Sequence, residues 1–345
     1  MRSLKSDLMQ ALGTADLKLG WEKGQLQLHI DQPDLAPVEL LDLINWLDPV
    51  PSVAAVLGLS DDGSPILLDF ASGDITHVLI SGISGAGKTA LLRTIAVSLG
   101  IGNRQSQLQL VVLDPTENLA RTGYADLKSL QYLPHMMMPV ASHRDDVKKA
   151  LQFLVQEMQY RRRENATQPT IVVLLDGVES LLTRQNRKIK DELLRLLQHG
   201  ALVGIHLVLS TLSSSINLLD TIFQANMPIR IVGQVEDSMQ AAIASGMSNS
   251  EAEFLSGQGD FIAIANGQVI HFQGAYIGDY GLHLTLEELH RKRPPILLAQ
   301  PFSVSTAIAT DSPSAVEQFV YDGQRITAVS DVVMHDETAP YKSEI

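Results

Sequence analysis

Gly82-Ile83-Ser84-Gly85-Ala86-Gly87-Lys88-Thr89 sets glycines, a lysine and a hydroxyl at the spacing of a phosphate-binding loop. Glycines allow successive backbone N–H groups to turn inward around an anion. Lys88 then reaches the β and γ phosphates of a triphosphate, and the Thr89 hydroxyl can ligate Mg²⁺. The expected ligand contacts run over Gly82, Ser84, Gly85, Ala86, Gly87, Lys88, Thr89 and Ala90. At average composition such a match arises in roughly one chain in a hundred of this length. The flanking residues strengthen it: His77–Ser81 reads as a buried strand entering the loop. Thr89–Leu99, apolar at Leu91, Leu92, Ile95, Ala96 and Leu99, reads as the helix leaving it. That helix start adds positive potential for phosphate.

A second chemical signal is Thr170-Ile171-Val172-Val173-Leu174-Leu175-Asp176, an apolar strand ending in a carboxylate. In triphosphatases with such a loop, this Asp holds Mg²⁺ through water or through the loop hydroxyl. Thr89 and Asp176 are therefore the candidate metal pair, and Asp176 and the nearby Glu179 the candidate catalytic carboxylates.

These residues need a framework. Val78–Ser81, Leu108–Leu113, Thr170–Leu175, Ile205–Ser210 and Ile229–Val232 read as buried strands. Helices are expected at Thr89–Leu99, Arg144–Arg163 and Asp191–Leu202, which predicts an α/β domain with a mostly parallel sheet covered on both faces. Phe261–Ala265 and Val269–Gln273 around Asn266-Gly267 predict a hairpin. Upstream, Ser3–Leu12 reads as a helix, Leu17–Ile30 as a β-hairpin and Pro37–Leu47 as a second helix. The expected organisation is a small α/β module over 1–58, the nucleotide-binding domain over 59–300, and an acidic disordered tail over 301–345.

Composition narrows the class. Of 345 residues, 45% are hydrophobic and 19% charged, none is cysteine, and the net charge is −13. Disulfides and thiolate-bound metals are excluded, and a surface broadly attractive to nucleic acid is disfavoured. No apolar run is long enough for a membrane helix, and a cytoplasmic location is expected.

Several further segments resemble the FtsK/SpoIIIE-type motor domain of the FtsK–HerA group of ring-forming ATPases. They are Leu113-Asp114-Pro115, Leu133-Pro134-His135 with Pro139-Val140, Glu157-Met158-Gln159-Tyr160-Arg161, Gly204–Thr211, Ala225–Ile231 with Gln234-Val235, and Gly257-Gln258-Gly259-Asp260. The resemblance runs from about Val53 to Ile277. It implies a RecA-like fold, ATP and Mg²⁺ as cofactors, a homohexameric ring or a hetero-ring with an active FtsK-type ATPase, and double-stranded DNA as partner.

Three positions depart from that pattern. The family's Glu after its metal-site Asp is Gly177 here, its sensor Gln after the strand-end Thr is Leu212, and its intersubunit Arg falls on Ala201. Arg195 on the preceding helix stands about 9 Å away along the axis. An arginine finger contributes about 10³–10⁵ in rate and a positioned base about 10²–10⁴. The residues thus imply a chain that keeps its ATP-binding groups and hydrolyses poorly alone. Arg184, Arg187, Lys188 and Lys190, with no acid among residues 184–190, are candidate DNA-phosphate contacts. The alternative is a nucleotide-gated module that binds a protein partner or regulates an active FtsK-type ATPase. His135 and His206, among apolar neighbours, read as core residues, and Arg161–Arg163 as a helix end.

Overall fold

The computed structural model of the chain describes residues 17–22, 25–30, 37–47, 49–72, 76–115, 127–182, 186–219, 221–292, 318–321 and 326–329. Two compact units, 1–296 and 297–345, make up the chain. In the second, Gln318–Tyr321 pairs antiparallel with Ile326–Val329. The remainder of the tail, and the helix expected at Ser3–Leu12, lie outside the described residues.

The first unit opens with an antiparallel pair, β1 (Leu17–Glu22) and β2 (Gln25–Ile30), with Leu17 opposite Ile30. Its remaining strands are β3 (Ala54–Ser60), β4 (Pro65–Asp69), β5 (Val78–Gly82), β6 (Leu108–Leu113), β7 (Thr170–Leu175), β8 (Ile205–Leu212), β9 (Ile229–Gly233), β10 (Asp260–Ala265) and β11 (Gln268–Gly274). They form one nine-stranded sheet in the order β4-β3-β11-β10-β9-β5-β8-β7-β6. From β9 to β6 the pairing is parallel. From β9 through β10, β11 and β3 to β4 it is antiparallel. The parallel half matches the five strands expected from sequence, and the antiparallel half extends it.

The apolar runs resolve into two alternating faces, as a period of two requires. In β6, Val111 and Leu113 join one core while Leu108, Leu110 and Val112 join the other. In β7, Ile171, Val173 and Leu175 face the first core, Val172 and Leu174 the second. The first face is covered by α3 (Arg144–Glu164), α4 (Arg187–His199) and α6 (Ser238–Ser245), with the five-residue α5 (Thr221–Ala225) beside them. The second is covered by α1 (Leu40–Leu47), α2 (Lys88–Gly102) and α7 (Asp279–Lys292).

Helix α2 is buried continuously from Leu91 to Gly100, so its polar side chains need partners inside the protein. Ser98 Oγ accepts from Val56 N at 2.8 Å. Thr94 Oγ1 donates to Ala275 O at 2.7 Å. Val56 N is free to reach Ser98 because β3 shifts register between Val56 and Gly58. At Gly58 a Cβ would stand 1.9 Å from Gln273 O, so only glycine fits the bend. The boundary expected after residue 58 therefore falls inside a buried strand: α1 and β3 belong to the core of the main sheet.

The expected core histidines are placed accordingly. His135 Nε2 meets Asn103 O at 2.9 Å and His206 Nδ1 meets Thr76 O at 2.9 Å. His77 Nδ1 accepts from Leu207 N at 3.0 Å. Burial, with His206 alongside, pushes the His77 pKa down to about 3, so this imidazole stays neutral.

At the end of α3, Arg161 Nε donates to Glu157 Oε1 at 2.6 Å, and Arg161 NH1 donates to Val203 O at 3.0 Å. Both side chains are buried, which anchors α3 to the turn that launches β8. Arg161→Ala is expected to lower stability by about 3–5 kcal/mol because it strands a buried carboxylate. A urea titration should show the full loss in the single variant and a much smaller one in Glu157→Leu/Arg161→Met.

Candidate functional site

At its C-terminal end β5 turns into the glycine loop, and α2 begins at Lys88. Gly85 and Gly87 take positive φ (86° and 100°), a region open to glycine at little cost. Space beside Gly85 is open, whereas a Cβ on Gly87 would lie 2.8 Å from Gly259 N. The loop leans on two other segments. Ile83 N donates to Gln234 O at 2.8 Å, Gly259 N to Ala86 O at 3.0 Å and Gln258 N to Gly85 O at 3.3 Å. Thus two distant segments, Gly233–Val235 and Gly257–Asp260, form the wall of the loop.

Lys88 Nζ donates to Gly82 O at 2.9 Å and Ile83 O at 2.7 Å, which holds the ammonium over the loop. The N–H groups of the first α2 turn have no acceptor within the helix. With the Lys88 ammonium over the same loop, these donors are the arrangement that accepts polyphosphate.

Thr89 Oγ1 donates to Asp176 Oδ2 at 2.7 Å. Asp176 is 3% exposed, and its other oxygen, Oδ1, accepts from Ser210 Oγ. Ser210 Oγ in turn accepts from Gly177 N at 2.9 Å. One hydroxyl and one carboxylate oxygen side by side suit Mg²⁺, which takes few protein ligands and fills its shell with phosphate oxygens and water. Ser210 was not among the candidate residues. The sequence signal was present, since the resembling strand carries Ala before its Thr, but only the structure puts β8 between β5 and β7.

Gly177 adopts φ 69° and ψ 54°, a left-handed turn that directs the chain into the short 3₁₀ segment Val178–Ser180. Glu179 returns toward the loop on that segment. Burial raises its carboxyl above the usual carboxylate range and Asp176 raises it further, opposed by its own backbone N–H, the Thr211 hydroxyl and Lys88. Its Oε2 is buried and makes no hydrogen bond. A carboxylate that faces Asp176, Lys88 and Thr211 thus sits two residues beyond Gly177.

Among the basic candidates, Arg187 and Lys188 are exposed in the first turn of α4. Lys190 is half-buried with Nζ over the Phe223 ring, 5.9 Å from its centre. Arg184 lies outside the described residues. Leu212 ends β8, and Ala201 sits in a 3₁₀ turn beside Leu202, which is 73% exposed. Neither supplies a donor. Among the described residues, no helix is long and apolar enough to cross a membrane.

Residues 39–168 match the FtsK/SpoIIIE family. The DNA translocase FtsK of Chlamydia trachomatis serovar D is 28% identical over 306 residues, covering 79% of this chain and 37% of the relative. The DNA translocase SftA of Bacillus subtilis is 24% identical over 269 residues, covering 71% of this chain and 27% of the relative. The chain spans well under half the length of these relatives. Among solved structures, the conjugation coupling protein TcpA, in its monomer form with ATPγS, superposes with a TM-score of 0.65 at 18% identity, covering 84% of this chain and 85% of that one. The cytoplasmic domain of the Thermomonospora curvata Type VII secretion ATPase EccC gives 0.62 at 19% identity, covering 84% and 39%. By sequence the chain is related to FtsK/SpoIIIE-type DNA translocases, and its fold is that of P-loop ATPase domains.

The Glu179 environment gives a pH test. Its folded pKa lies above its ordinary value, so its contribution to stability is intact below about pH 4.5 and is lost as pH rises through the raised value. Glu179→Gln, which cannot ionise, should therefore melt higher than wild type at pH 7 by roughly 2–4 °C per kcal/mol recovered. The two melting curves should converge near pH 4, as followed by circular dichroism.

Proposed function

We propose that this FtsK/SpoIIIE-related chain binds ATP with Mg²⁺ in the glycine loop, hydrolyses it slowly when alone, and works on double-stranded DNA as part of a ring. The observation that carries the reading is the 2.7 Å contact of Thr89 with Asp176 directly beneath a loop that retains Lys88. Backbone N–H groups from Ser84 to Ala90 would hold the phosphates, and Lys88 would leave the Gly82 and Ile83 carbonyls for the β and γ oxygens. Thr89 and Asp176 would hold Mg²⁺, which neutralises charge on the phosphates when bound.

Hydrolysis also needs a group to orient water and one to balance charge as the γ phosphate departs. Gly177 and Leu212 offer neither, and the position of the intersubunit arginine is Ala201. Glu179 is the carboxylate that can take over the first task, since it faces Asp176 and Lys88 from the adjoining turn. Its raised pKa favours proton acceptance. The charge-balancing arginine would come from another subunit, and its absence in the isolated chain keeps turnover slow.

DNA as partner follows from the translocase relatives and from one local oddity. Arg187 and Lys188 occupy the first turn of α4, which holds no acid, and Asp191 and Glu192 follow only in the next turn. Cations at a helix N-terminus oppose its dipole at a cost of about 0.3–1 kcal/mol each. A phosphate backbone would reverse that sign. The net charge of −13 favours the second reading, a nucleotide-gated module that binds a protein partner or restrains an active FtsK-type ATPase.

Purified protein should bind a non-hydrolysable ATP analogue by calorimetry and lose it in Lys88→Ala. ATP turnover should stay well below about one per second and fall further in Glu179→Gln. Faster turnover that depends on Lys88 but not on Glu179 would overturn the assignment. In band shifts with long duplex DNA, Arg187→Ala/Lys188→Ala should lower the slope of log affinity against log salt by about two. Duplex binding that is absent under all salt conditions supports the protein-partner reading.

A further inference from the structure

His271 lies on β11, away from the glycine loop, yet its ring joins two carboxylates from separate segments. Nδ1 is 2.5 Å from Asp61 Oδ1 in the β3–β4 turn, and Nε2 is 2.6 Å from Asp260 Oδ1 at the start of β10. A neutral imidazole carries one N–H and one lone pair, so it could donate to only one of them. Both contacts require the doubly protonated ring. Among the described residues, Asp61 and Asp260 are the charged groups that face this ring.

Asp260 is only 15% exposed and is held from its other side as well: its Oδ2 accepts from Ser256 N at 2.7 Å. It closes the turn Gly257-Gln258-Gly259-Asp260, in which Asp260 N donates to Gly257 O at 3.0 Å. This is the turn whose Gly259 N and Gln258 N hold the Ala86 and Gly85 carbonyls of the glycine loop. Gln273 Nε2 adds a bond to Gln258 O at 3.3 Å. An unbroken series of contacts thus runs from the β3–β4 turn through His271 and Asp260 to the wall of the phosphate site.

We infer that His271 is a positioning residue of the nucleotide site, an imidazolium clamp that fixes the 257–260 turn against the glycine loop. The inference rests on the ATP-binding reading above for its consequence, though not for its geometry. Asp260 and Asp61 raise the His271 pKa to about 9 against partial burial, so the clamp is closed at neutral pH. With a folded pKa above the ordinary value of about 6.5, its stabilising contribution is complete below that pH and is lost as pH rises through about 9.

The test uses the full chain with His271→Gln, His271→Arg and Asp61→Asn. Asp61 is 74% exposed, so its variant takes the charge from one arm of the clamp without disturbing the core. Two readouts apply: calorimetric affinity for a non-hydrolysable ATP analogue with MgCl₂, and hydrogen exchange of residues 82–87 and 257–260 without nucleotide. His271→Gln should weaken affinity about three- to tenfold and speed exchange in both segments, with the rest of the sheet unchanged. His271→Arg should keep both near wild type. Relative to the intrinsic exchange rate, which rises with pH in every variant, protection of these segments should fall between pH 7 and pH 10 in wild type but not in His271→Arg. Unchanged exchange and affinity in both His271→Gln and Asp61→Asn would overturn the inference. If wild type binds no analogue, the proposed function fails, and the exchange data still decide whether the clamp exists.

Discussion

The hydrogen bond from Thr89 to Asp176 closes a loop of chain 87 residues long, and the site depends on what makes it possible. Thr89 lies in the first turn of α2 after β5, and Asp176 follows β7, which is not the neighbour of β5. Between them lies β8, whose Ser210 holds the other oxygen of Asp176. The parallel order β5-β8-β7 therefore brings three oxygen-bearing side chains together at the C-terminal end of these strands. A carboxylate buried to 3% exposure would be costly alone, and these hydroxyls compensate for its lost water. The same bonds aim it at the glycine loop.

The antiparallel half has a different task. It builds the wall on which the loop rests, and the bulge at Gly58 and the polar side chains of α2 bind it to the rest. Ser98 and Thr94 would weaken an isolated amphipathic helix; here they satisfy backbone groups of β3 and of the chain leaving β11. Thus α2 is both the first element of the phosphate site and the pillar around which the extended sheet is arranged. Arg93 fits that description too, since its buried guanidinium reaches outward to Asp279 at the start of α7.

Much of this could be read from the residues, because the signals were strong where burial was complete. The five parallel strands are mainly apolar, interrupted singly at Gln109, His206 and Arg230, and their predicted limits agree with the observed ones to within two residues. The glycine loop and its helix were equally legible. Of the antiparallel strands, β10 and β11 were legible as a hairpin around Asn266-Gly267, and β3 and β4 were not: β3 begins Ala54-Ala55 and bends at a bulge, so it gives no clear period. Likewise α7 shows Tyr280 and Leu284 to solvent and hid its buried stripe of Leu282, Leu286 and Leu289. Glu179 could be named as a carboxylate near Asp176, but the direction it takes could not be read. It follows from the left-handed turn at Gly177, and spacing along the chain carries no information about which way such a turn sends its neighbour.

Gly87 and Gly259 meet backbone to backbone, with 2.8 Å available where a methyl group would have to fit. Two side chains at such a contact could slide past each other by changing rotamer; two peptide units cannot. The join behaves as a rigid seam, so a displacement of the phosphate loop has no soft layer in which to dissipate before it reaches the strands behind. It also narrows what mutation can try there: every replacement at position 87 adds atoms where none fit, which leaves the joint closed to gradual remodelling.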